Sequence, residues 1–387
     1  MARASLGATL GLAMGCTSYE GEQWTYLVYM HADNNLDPAA ADDLAEMLKV
    51  KGDGATFVVQ VDRNPDYGKR TAKGLPFEAG AQRILIHDGE AEILEDLGEV
   101  NSSDPEVLQN FIEWGLADHD NERLAFFFWN HGGGWIGFGH DETDDAGILG
   151  LEPIEVAMTD ALQNSPREKF DLLGFDACLM GNLEVAHSFV GLADYYLGSQ
   201  ENEPGHGWNY ESMELRGDAD GSPEGVGRAI LAGFEEQAKD RGTSANITLS
   251  LIDLEKVDAV NEALTAGFSA VAGADITVDF FEMFAEDAQQ ELVKNIAELA
   301  AARSESVVFG AESTQLVDIH ELWQTAADKD PELQDAADGI TAAIDAAVLE
   351  RVQGKFHAGA RGLSFFFPAK ESQLPLSYAA TEDAGLA

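Results

Sequence analysis

Basic residues are scarce in this chain of 387 residues, where 23 Lys and Arg stand against 70 Asp and Glu and the formal net charge is −47. A surface of this sign repels nucleic acid and anionic membranes, so we expect neither as a partner. The acids are spread along the whole chain, which favours solubility in a salty medium over an acidic docking face. They would also attract cationic substrates. The hydrophobic content of 45% is that of a folded globular protein.

Long apolar runs are absent as well, apart from one short stretch at the start. Residues 1–16, MARASLGATLGLAMGC, place an Arg before an apolar segment that is too short to span a bilayer and is typical of a signal peptide. The residues before Cys16 resemble the lipobox of bacterial lipoproteins, in which that Cys is acylated. We therefore expect an exported protein, either a cell-envelope lipoprotein anchored through Cys16 or an extracellular protein. An ordinary signal peptide and a misassigned start codon are the alternatives.

Cysteine is nearly missing, with two in the whole chain, Cys16 and Cys178. If Cys16 is lipidated or removed, Cys178 has no partner within the chain, although exported proteins usually pair their cysteines. Two explanations are open for such a lone thiol. It is either a small buried hydrophobe, which is the usual fate of a free Cys, or a working nucleophile.

Apolar, β-rich runs alternate with helical patterns through residue 255. This alternation predicts an α/β fold with a mainly parallel central sheet covered by helices on both faces. From residue 256 the pattern is more helical, with one further clear strand near 362–368. We therefore expect three parts: residues 1–23 as signal peptide and linker, 24–255 as the α/β domain, and 256–387 as a helical portion whose last strand returns to a sheet. The strands are predicted at 24–32, 55–62, 83–88, 123–130, 170–176, 194–200 and 245–253.

Two predicted strands end in residues suited to catalysis. RLAFFFWN is followed by His131 and the glycines Gly132 to Gly134, and FDLLGFD by Cys178. Parallel strands end at one edge of a sheet, so an imidazole that takes a thiol proton would face the thiol. The N–H groups of Gly132 and Cys178 would form an oxyanion hole, and a helix predicted just after Cys178 would lower its pKa. Taken singly, the Cys could be a buried residue that only packs in the core, and the glycines could only form a turn.

Several longer motifs resemble the clostripain family of cysteine peptidases, which is grouped with caspases, gingipains, legumain and separase. The resemblance covers roughly residues 24–368 and implies a caspase-like fold, with 24–255 as the catalytic domain. It also implies a Cys-His dyad in which His131 is the general acid and base and Cys178 the nucleophile. The motifs are WTYLVYMHADNNLD, FFFWNHGGGW, LLGFDACLMGNLEVA and GSQENEPGHGWNY, with weaker likeness in LVDIHELW and RGLSFFFP.

The same resemblance implies a substrate. Family members cut after basic residues, Arg in particular, and an acid two places before the Cys lines the specificity pocket. Asp176 has that position here, and a buried carboxylate can pair with a guanidinium. Its alternative role is a strand-end Asp bonded to backbone N–H groups. Ser199, Glu201 and Trp208 are weaker candidates for binding, the expected partners are peptides or proteins with basic residues, and we expect a monomer.

The sequence requires no cofactor, but the resemblance makes calcium a candidate because some family members need it. The acidic loop at 141–147 offers carboxylate oxygens that could bind the ion. It lacks the spacing of an EF-hand, so a solvated loop is the alternative. The candidate calcium ligands are Asp141, Glu142, Asp144 and Asp145.

Two rival functions compete with the peptidase. A metal-dependent hydrolase would use His131, His140 and Asp141, but its two histidines lie nine residues apart across glycines, a poorly preorganised spacing for metal ligands. A non-catalytic surface lipoprotein of the same fold would bind cationic peptides. The presence of both His131 and Cys178 argues against that second rival.

Overall fold

The computed structural model describes residues 19–67, 69–119, 121–144, 147–272, 297–310 and 314–368. The predicted signal peptide and lipobox, with Cys16, and the proposed calcium ligand Asp145 lie outside the described residues. Within them, no helix is both long and apolar enough to cross a membrane.

Nine strands form a central sheet in the order β11-β8-β7-β6-β5-β1-β2-β3-β4. The five strands from β7 to β2 in this order are parallel, whereas β3 and β4 at one edge and β8 and β11 at the other are antiparallel to their neighbours. The strands of this sheet are β1 Trp24–Ala32, β2 Ala55–Arg63, β3 Gly80–His87, β4 Glu90–Gly98, β5 Arg123–Trp129, β6 Phe170–Asp176, β7 Ala193–Gly198, β8 Thr248–Asp253 and β11 Val348–Gln353.

Helices cover both faces of the sheet, because apolar side chains of its central strands alternate between two cores. In β1, Leu27 and Tyr29 point to one core and Tyr26 and Val28 to the other. The first core packs against α2, α3, α4, α6, α7, α8 and α9, and the second against α1 and α5. The helices are α1 Asp37–Met47, α2 Pro105–Asp118, α3 Leu151–Gln163, α4 Leu183–Ser188, α5 Pro223–Arg241, α6 Val257–Ala272, α7 Ala297–Arg303, α8 Ile319–Lys329 and α9 Gln334–Ala347.

The part of the chain after residue 256 contributes to two sheets. Its strand β11 joins the central sheet beside β8. The strand predicted near 362–368 is Ser364–Phe366, β12, which pairs with β10, Leu316–Asp318, in a separate three-stranded sheet completed by β9, Val308–Phe309. This small sheet reaches the turn after Cys178, since the Ser364 N–H donates to the Gly181 carbonyl at 3.1 Å.

The sequence patterns located the interior strands better than the edges. Strand β6 has the predicted bounds, and β1 also starts and ends where predicted. Strand β4 was not predicted because its sequence, EAEILEDLG, is acidic and lacks an apolar run. Its residues are mostly exposed, and charged side chains on an edge strand discourage pairing with another chain. Edge strands lack the continuous apolar run that identifies a buried parallel strand.

Candidate active site

The strands β5 and β6 bring His131 and Cys178 to the same edge of the sheet. They are parallel neighbours, and Trp129 lies opposite Asp176 in their register. Both candidate catalytic residues follow two positions after this pair, and both line one cavity of about 130 Å³. The cavity is lined by Leu36, Ala39, Asp43, Trp129, Asn130, His131, Asp176, Ala177, Cys178, Glu203, Pro204, Gly205 and Gly207.

The turn after β5 packs directly on the turn after β6. A Cβ atom at Gly132 would lie only 2.0 Å from the carbonyl oxygen of Cys178, so no larger residue fits without moving the backbone. The Gly133 N–H donates to the Gly137 carbonyl at 2.9 Å. Among the described residues, the N–H groups of Gly132 and Cys178 have no such backbone acceptor. The N–H groups of Gly132 and Cys178 thus remain candidates for the oxyanion hole, whereas that of Gly133 is already bonded; Cys178 lines the cavity and Gly132 does not.

His131 is held by residues from two other segments. Its Nε2 lies 2.9 Å from Asn35 Oδ1, in the loop after β1, and its ring stacks on that of His140 at 5.6 Å. With Asn35 as the acceptor, Nε2 carries the hydrogen and Nδ1 keeps a lone pair. Burial lowers the pKa of His131, and His140 lowers it further. The ring is therefore a neutral base over a wider pH range than a free imidazole.

Cys178 lies in a tight turn rather than at a helix N-terminus. The helix predicted directly after it is wrong: α4 begins at Leu183, where the Asn182 side chain caps it by accepting from the Val185 N–H. Leu179 has φ of 68°, a left-handed conformation that is strained for a residue other than glycine. Burial raises the pKa of Cys178, although the Glu203 N–H donates to its Sγ at 3.3 Å. The resting thiol is therefore protonated and needs a base.

Three carboxyl groups, Asp43, Asp176 and Glu203, line the same cavity, and we call them the pocket cluster. Burial raises the pKa of Asp176 to about 6. The pKa values of Asp43 and Glu203 lie well above their usual range, because of burial and then the charge of Asp176. No Lys or Arg lies among the described residues that line the cavity. The pocket cluster is thus a concentration of acid without a basic partner.

A backbone N–H and two aromatic side chains hold the pocket cluster in place. The backbone N–H of Trp208 donates to both oxygens of Asp176, at 3.2 and 3.1 Å, and the Tyr210 hydroxyl donates to Oδ2 at 3.0 Å. The Trp129 indole N–H donates to Asp43 Oδ2 at 2.6 Å. Asp176 therefore bonds to a backbone N–H, as its alternative role required, and also faces the cavity with its carboxylate.

A model of the clostripain family matches residues 28–373 of this sequence. The chain belongs to the clostripain family. Clostripain of Hathewaya histolytica is 28% identical in an alignment of 269 residues that covers 61% of this chain and 50% of clostripain. The chain therefore spans half the length of the curated relative that it matches.

Solved structures of clostripain-family proteins share this fold. A secreted C11 cysteine protease of Bacteroides thetaiotaomicron, in complex with an irreversible peptide inhibitor, has a TM-score of 0.60 at 18% identity, over 89% of this chain and 92% of that one. An inactive zymogen C11 protease of Parabacteroides distasonis has a TM-score of 0.65 at 16% identity, over 96% and 97%. This likeness confirms the predicted caspase-like α/β architecture with its mostly parallel sheet.

The residues that the clostripain resemblance suggested as weaker binding candidates lie behind the cavity. Ser199 and Trp208 are fully buried and do not line it, and neither does Glu201. The Ser199 hydroxyl donates to the Glu201 carbonyl at 2.8 Å, and that carbonyl accepts from the Leu179 N–H at 3.2 Å. Substrate binding by Ser199, Glu201 and Trp208 stays a prediction. These residues support the Cys178 turn and orient Asp176.

The acidic loop of this clostripain-family chain divides into buried and exposed parts. Asp141 is buried and accepts from the N–H groups of Ser102 and Asp144, at 3.0 and 2.9 Å. Glu142 and Asp144 are exposed. Of the three predicted calcium ligands that the structure describes, only Asp141 belongs to a cluster of acids close enough to share an ion. The rival metal site of His131, His140 and Asp141 is not such a cluster either.

Three residues of the site went unnoticed in the sequence, namely Asn35, Asp43 and Glu203. Asn35 follows β1, a neighbour of β5, so the rule that ligands bind at the carboxyl ends of strands could have found it. Asp43 lies in the middle of α1, where an acid usually faces solvent. Nothing in the local sequence distinguishes it. Glu203 lies in the segment SQENEP, whose Glu201 was chosen instead.

Proposed function

We propose that this chain is an exported cysteine endopeptidase that cleaves after basic residues, Arg above all and Lys by the same charge. The observation that carries this proposal is the cavity in which Cys178 and His131 share a wall with Asp176. A nucleophile, a base and a buried acid thus surround one small space. The family membership supports the reaction class, and the acid supports the specificity.

The pocket cluster would bind the basic side chain of the substrate. Burial, and crowding without a cation, raise the pKa values of the three carboxyl groups. The positive charge of a bound guanidinium would lower these pKa values, so the acids would release protons when the basic side chain binds. A guanidinium also offers up to five N–H donors, enough to bond two carboxylates at once. An ammonium group offers three, so we expect Arg to be preferred over Lys. An acidic side chain would be repelled from this cavity.

The chemistry begins at the thiol. His131 takes the Sγ proton of Cys178, and the thiolate attacks the carbonyl carbon of the residue held by the pocket cluster. The N–H groups of Gly132 and Cys178 bind the oxyanion that forms. The imidazolium then protonates the departing amine, which breaks the peptide bond and leaves a thioester at Sγ. Water, deprotonated by His131, releases the acid and restores the thiol.

Export forms part of the proposal, supported by the apolar start of the sequence and by the secreted relative from Bacteroides thetaiotaomicron. The expected partners are peptides or proteins with accessible basic residues. We expect a monomer, with any membrane contact made through a lipid on Cys16. Mass spectrometry of the mature N-terminus would test both the export and the lipid.

The first experiment compares fluorogenic peptides that end in Arg, Lys, Asp or Leu, with the wild-type chain and with Cys178→Ala. We expect turnover of the Arg peptide, slower turnover of the Lys peptide, and none by the variant. Efficient cleavage after Asp or Leu would contradict the role of Asp176. Undiminished turnover by Cys178→Ala would contradict the mechanism.

A second experiment separates the peptidase from the metal-hydrolase rival. A thiol alkylator should abolish activity by blocking Cys178, and peptide-protected enzyme should react more slowly. His131→Gln should lower kcat by about 100-fold or more, since it removes the general base. Resistance to the alkylator together with full inhibition by a chelator would favour the metal enzyme instead.

A further inference from the structure

A second cavity, of about 440 Å³, lies in the part of the chain after residue 256 and shares no residue with the active-site cavity. One face of α8 forms a wall of it, with His320, Gln324 and Asp328 at intervals of four residues. Strand β11 contributes Arg351, and the segment before β12 contributes Arg361. We call this space the α8 cavity. Its wall consists mostly of polar and charged side chains, which suit a polar ligand.

Two guanidinium groups meet at one end of the α8 cavity, around His320. Burial lowers the pKa of His320, and the charges of Arg361 and Arg351 lower it further, so both groups lie close to this ring. Arg361 pairs at 3.5 Å with the exposed Asp345, a kind of contact that contributes little. Glu321, the acid next to His320, accepts from a backbone N–H instead. Arg351 forms no ion pair among the described residues, and its buried Nε has no hydrogen-bond partner, which is costly.

Acids line the other end of the same cavity. Asp328 lies eight residues after His320 on the same helix, about 12 Å along the axis. Glu305 is close to Asp328, because its Oε1 lies 2.5 Å from the Nζ of the next residue, Lys329. Among the ion pairs of the described residues, none joins an Arg of this cavity to an acid of its wall. Opposite charges therefore face one space from its two ends without neutralising each other.

We propose that the α8 cavity binds a short peptide by its two charged ends, the carboxylate at the guanidinium groups and the ammonium at Asp328 and Glu305. A guanidinium suits a carboxylate because it can donate two parallel hydrogen bonds. Three extended residues span about 10 Å, close to the separation of the two ends of the cavity, whereas the charges of a free amino acid lie too close together. Gln324 and Thr325 line the stretch between and offer partners to the peptide backbone.

This binding does not rest on the proposed peptidase function, because the α8 cavity shares no residue with the site of cleavage. It is measured on the full chain carrying Cys178→Ala, so failure of this inference and failure of the peptidase function are distinguishable. Calorimetry with trialanine should show one site per chain. N-acetyl-trialanine lacks the ammonium and trialanine amide lacks the carboxylate, so each should bind about tenfold more weakly or worse, because one charged hydrogen bond is lost. Free alanine should bind as weakly.

Two further substitutions test the two ends separately. Arg351→Gln should weaken trialanine binding by about tenfold or more. In that variant trialanine and its amide should bind alike, which assigns the carboxylate to the Arg end. Asp328→Asn is an exposed isosteric change that should fold normally, and it should weaken trialanine but not N-acetyl-trialanine. It keeps the test valid if Arg351→Gln is unstable.

The matched control is Arg241→Gln, which neutralises an exposed Arg in the last turn of α5, outside the α8 cavity. It should bind trialanine like the parent. Equal binding of trialanine and its amide by the parent would mean that only an ammonium is bound, for example at the pocket cluster, and would overturn the proposal. Equal losses in Arg351→Gln and Arg241→Gln, or the absence of one-site binding, would overturn it as well.

Discussion

The pocket cluster and a second group of acids, Asp33, Asp62, Glu99 and Asp141, which we call the strand-end cluster, both lie at the carboxyl edge of the sheet, and only Glu99 among them is exposed; their surroundings differ. Asp43 and Asp176 accept from indole, hydroxyl and backbone N–H donors and face a cavity. Asp33 and Asp62 each keep a buried oxygen with no donor. The carboxyl groups of the pocket cluster are thus supplied with hydrogen-bond donors, whereas Asp33 and Asp62 each leave a buried acceptor unpaired.

Within the pocket cluster, the three carboxyl groups influence one another's pKa values. The pKa of Asp176 is raised to about 6, and those of Asp43 and Glu203 are raised well above their usual range, by burial and then by the charge of Asp176. A charge on Asp176 therefore favours the protonated forms of its two neighbours. Substitutions within the pocket cluster should consequently have unequal effects.

The largest effect is expected from Asp176→Asn. It removes the charge that pairs with the substrate guanidinium, and losing one partner of a buried pair costs about 3–5 kcal/mol, so kcat/KM for an Arg peptide should fall by roughly 100-fold or more. The unfolding temperature should not fall, because the Trp208 and Tyr210 donors can still bond to the amide oxygen. Steady-state kinetics measures the change in kcat/KM, and thermal unfolding measures the unfolding temperature. Retained activity would show that another acid selects the substrate.

The next effect is on pH dependence. Because the pKa of Asp176 is raised to about 6, its carboxylate is present above that pH and is lost as pH falls through it. KM for Arg peptides should therefore rise by about tenfold per unit below pH 6. kcat should change less there, since the lowered pKa of His131 keeps its ring neutral. A KM that is flat between pH 7 and pH 5, measured over that range, would contradict the assignment.

A smaller effect is expected from Asp43→Asn. Burial raises the pKa of Asp43 well above its usual range, which favours its uncharged form, so the substitution removes little charge. The amide oxygen of Asn can still accept from the Trp129 indole. kcat/KM should therefore stay within about threefold of the wild type, in contrast to Asp176→Asn. A loss as large as that of Asp176→Asn would mean that the two acids share the charge.

The smallest and least specific effect is that of monovalent salt. With a net charge of −47, repulsion opposes folding, and raising NaCl from 0.1 to 1 M shortens the screening length from about 10 to about 3 Å. The unfolding temperature should rise by a few degrees, equally in the parent and in Glu99→Gln. Thermal unfolding over this range of NaCl measures the effect. A response that Glu99→Gln abolishes would show that one carboxylate, and not the net charge, causes it.

Much of the catalytic arrangement could be predicted because it depends on strand ends. The apolar runs RLAFFFWN and FDLLGFD identify β5 and β6, and parallel strands end at one edge, so His131 and Cys178 were expected to meet. The start of α4 was misplaced because LMGNLEVA reads as continuous helix, while the structure forms a strained turn at Leu179 before the Asn182 cap. Strain of this kind depends on contacts from distant residues such as Glu201.

By itself, the sequence determined the α/β alternation, the central strands, the two residues at neighbouring strand ends and the acid before the Cys, because these follow from local periodicity and from the chain direction of parallel strands. Only the tertiary structure decided which acids gather with which. Asp43 reaches Asp176 from a helix, and Asp62 and Glu99 reach Asp33 and Asp141 from different strands. Interactions between carboxylates depend on distance and burial, which sequence separation does not reveal.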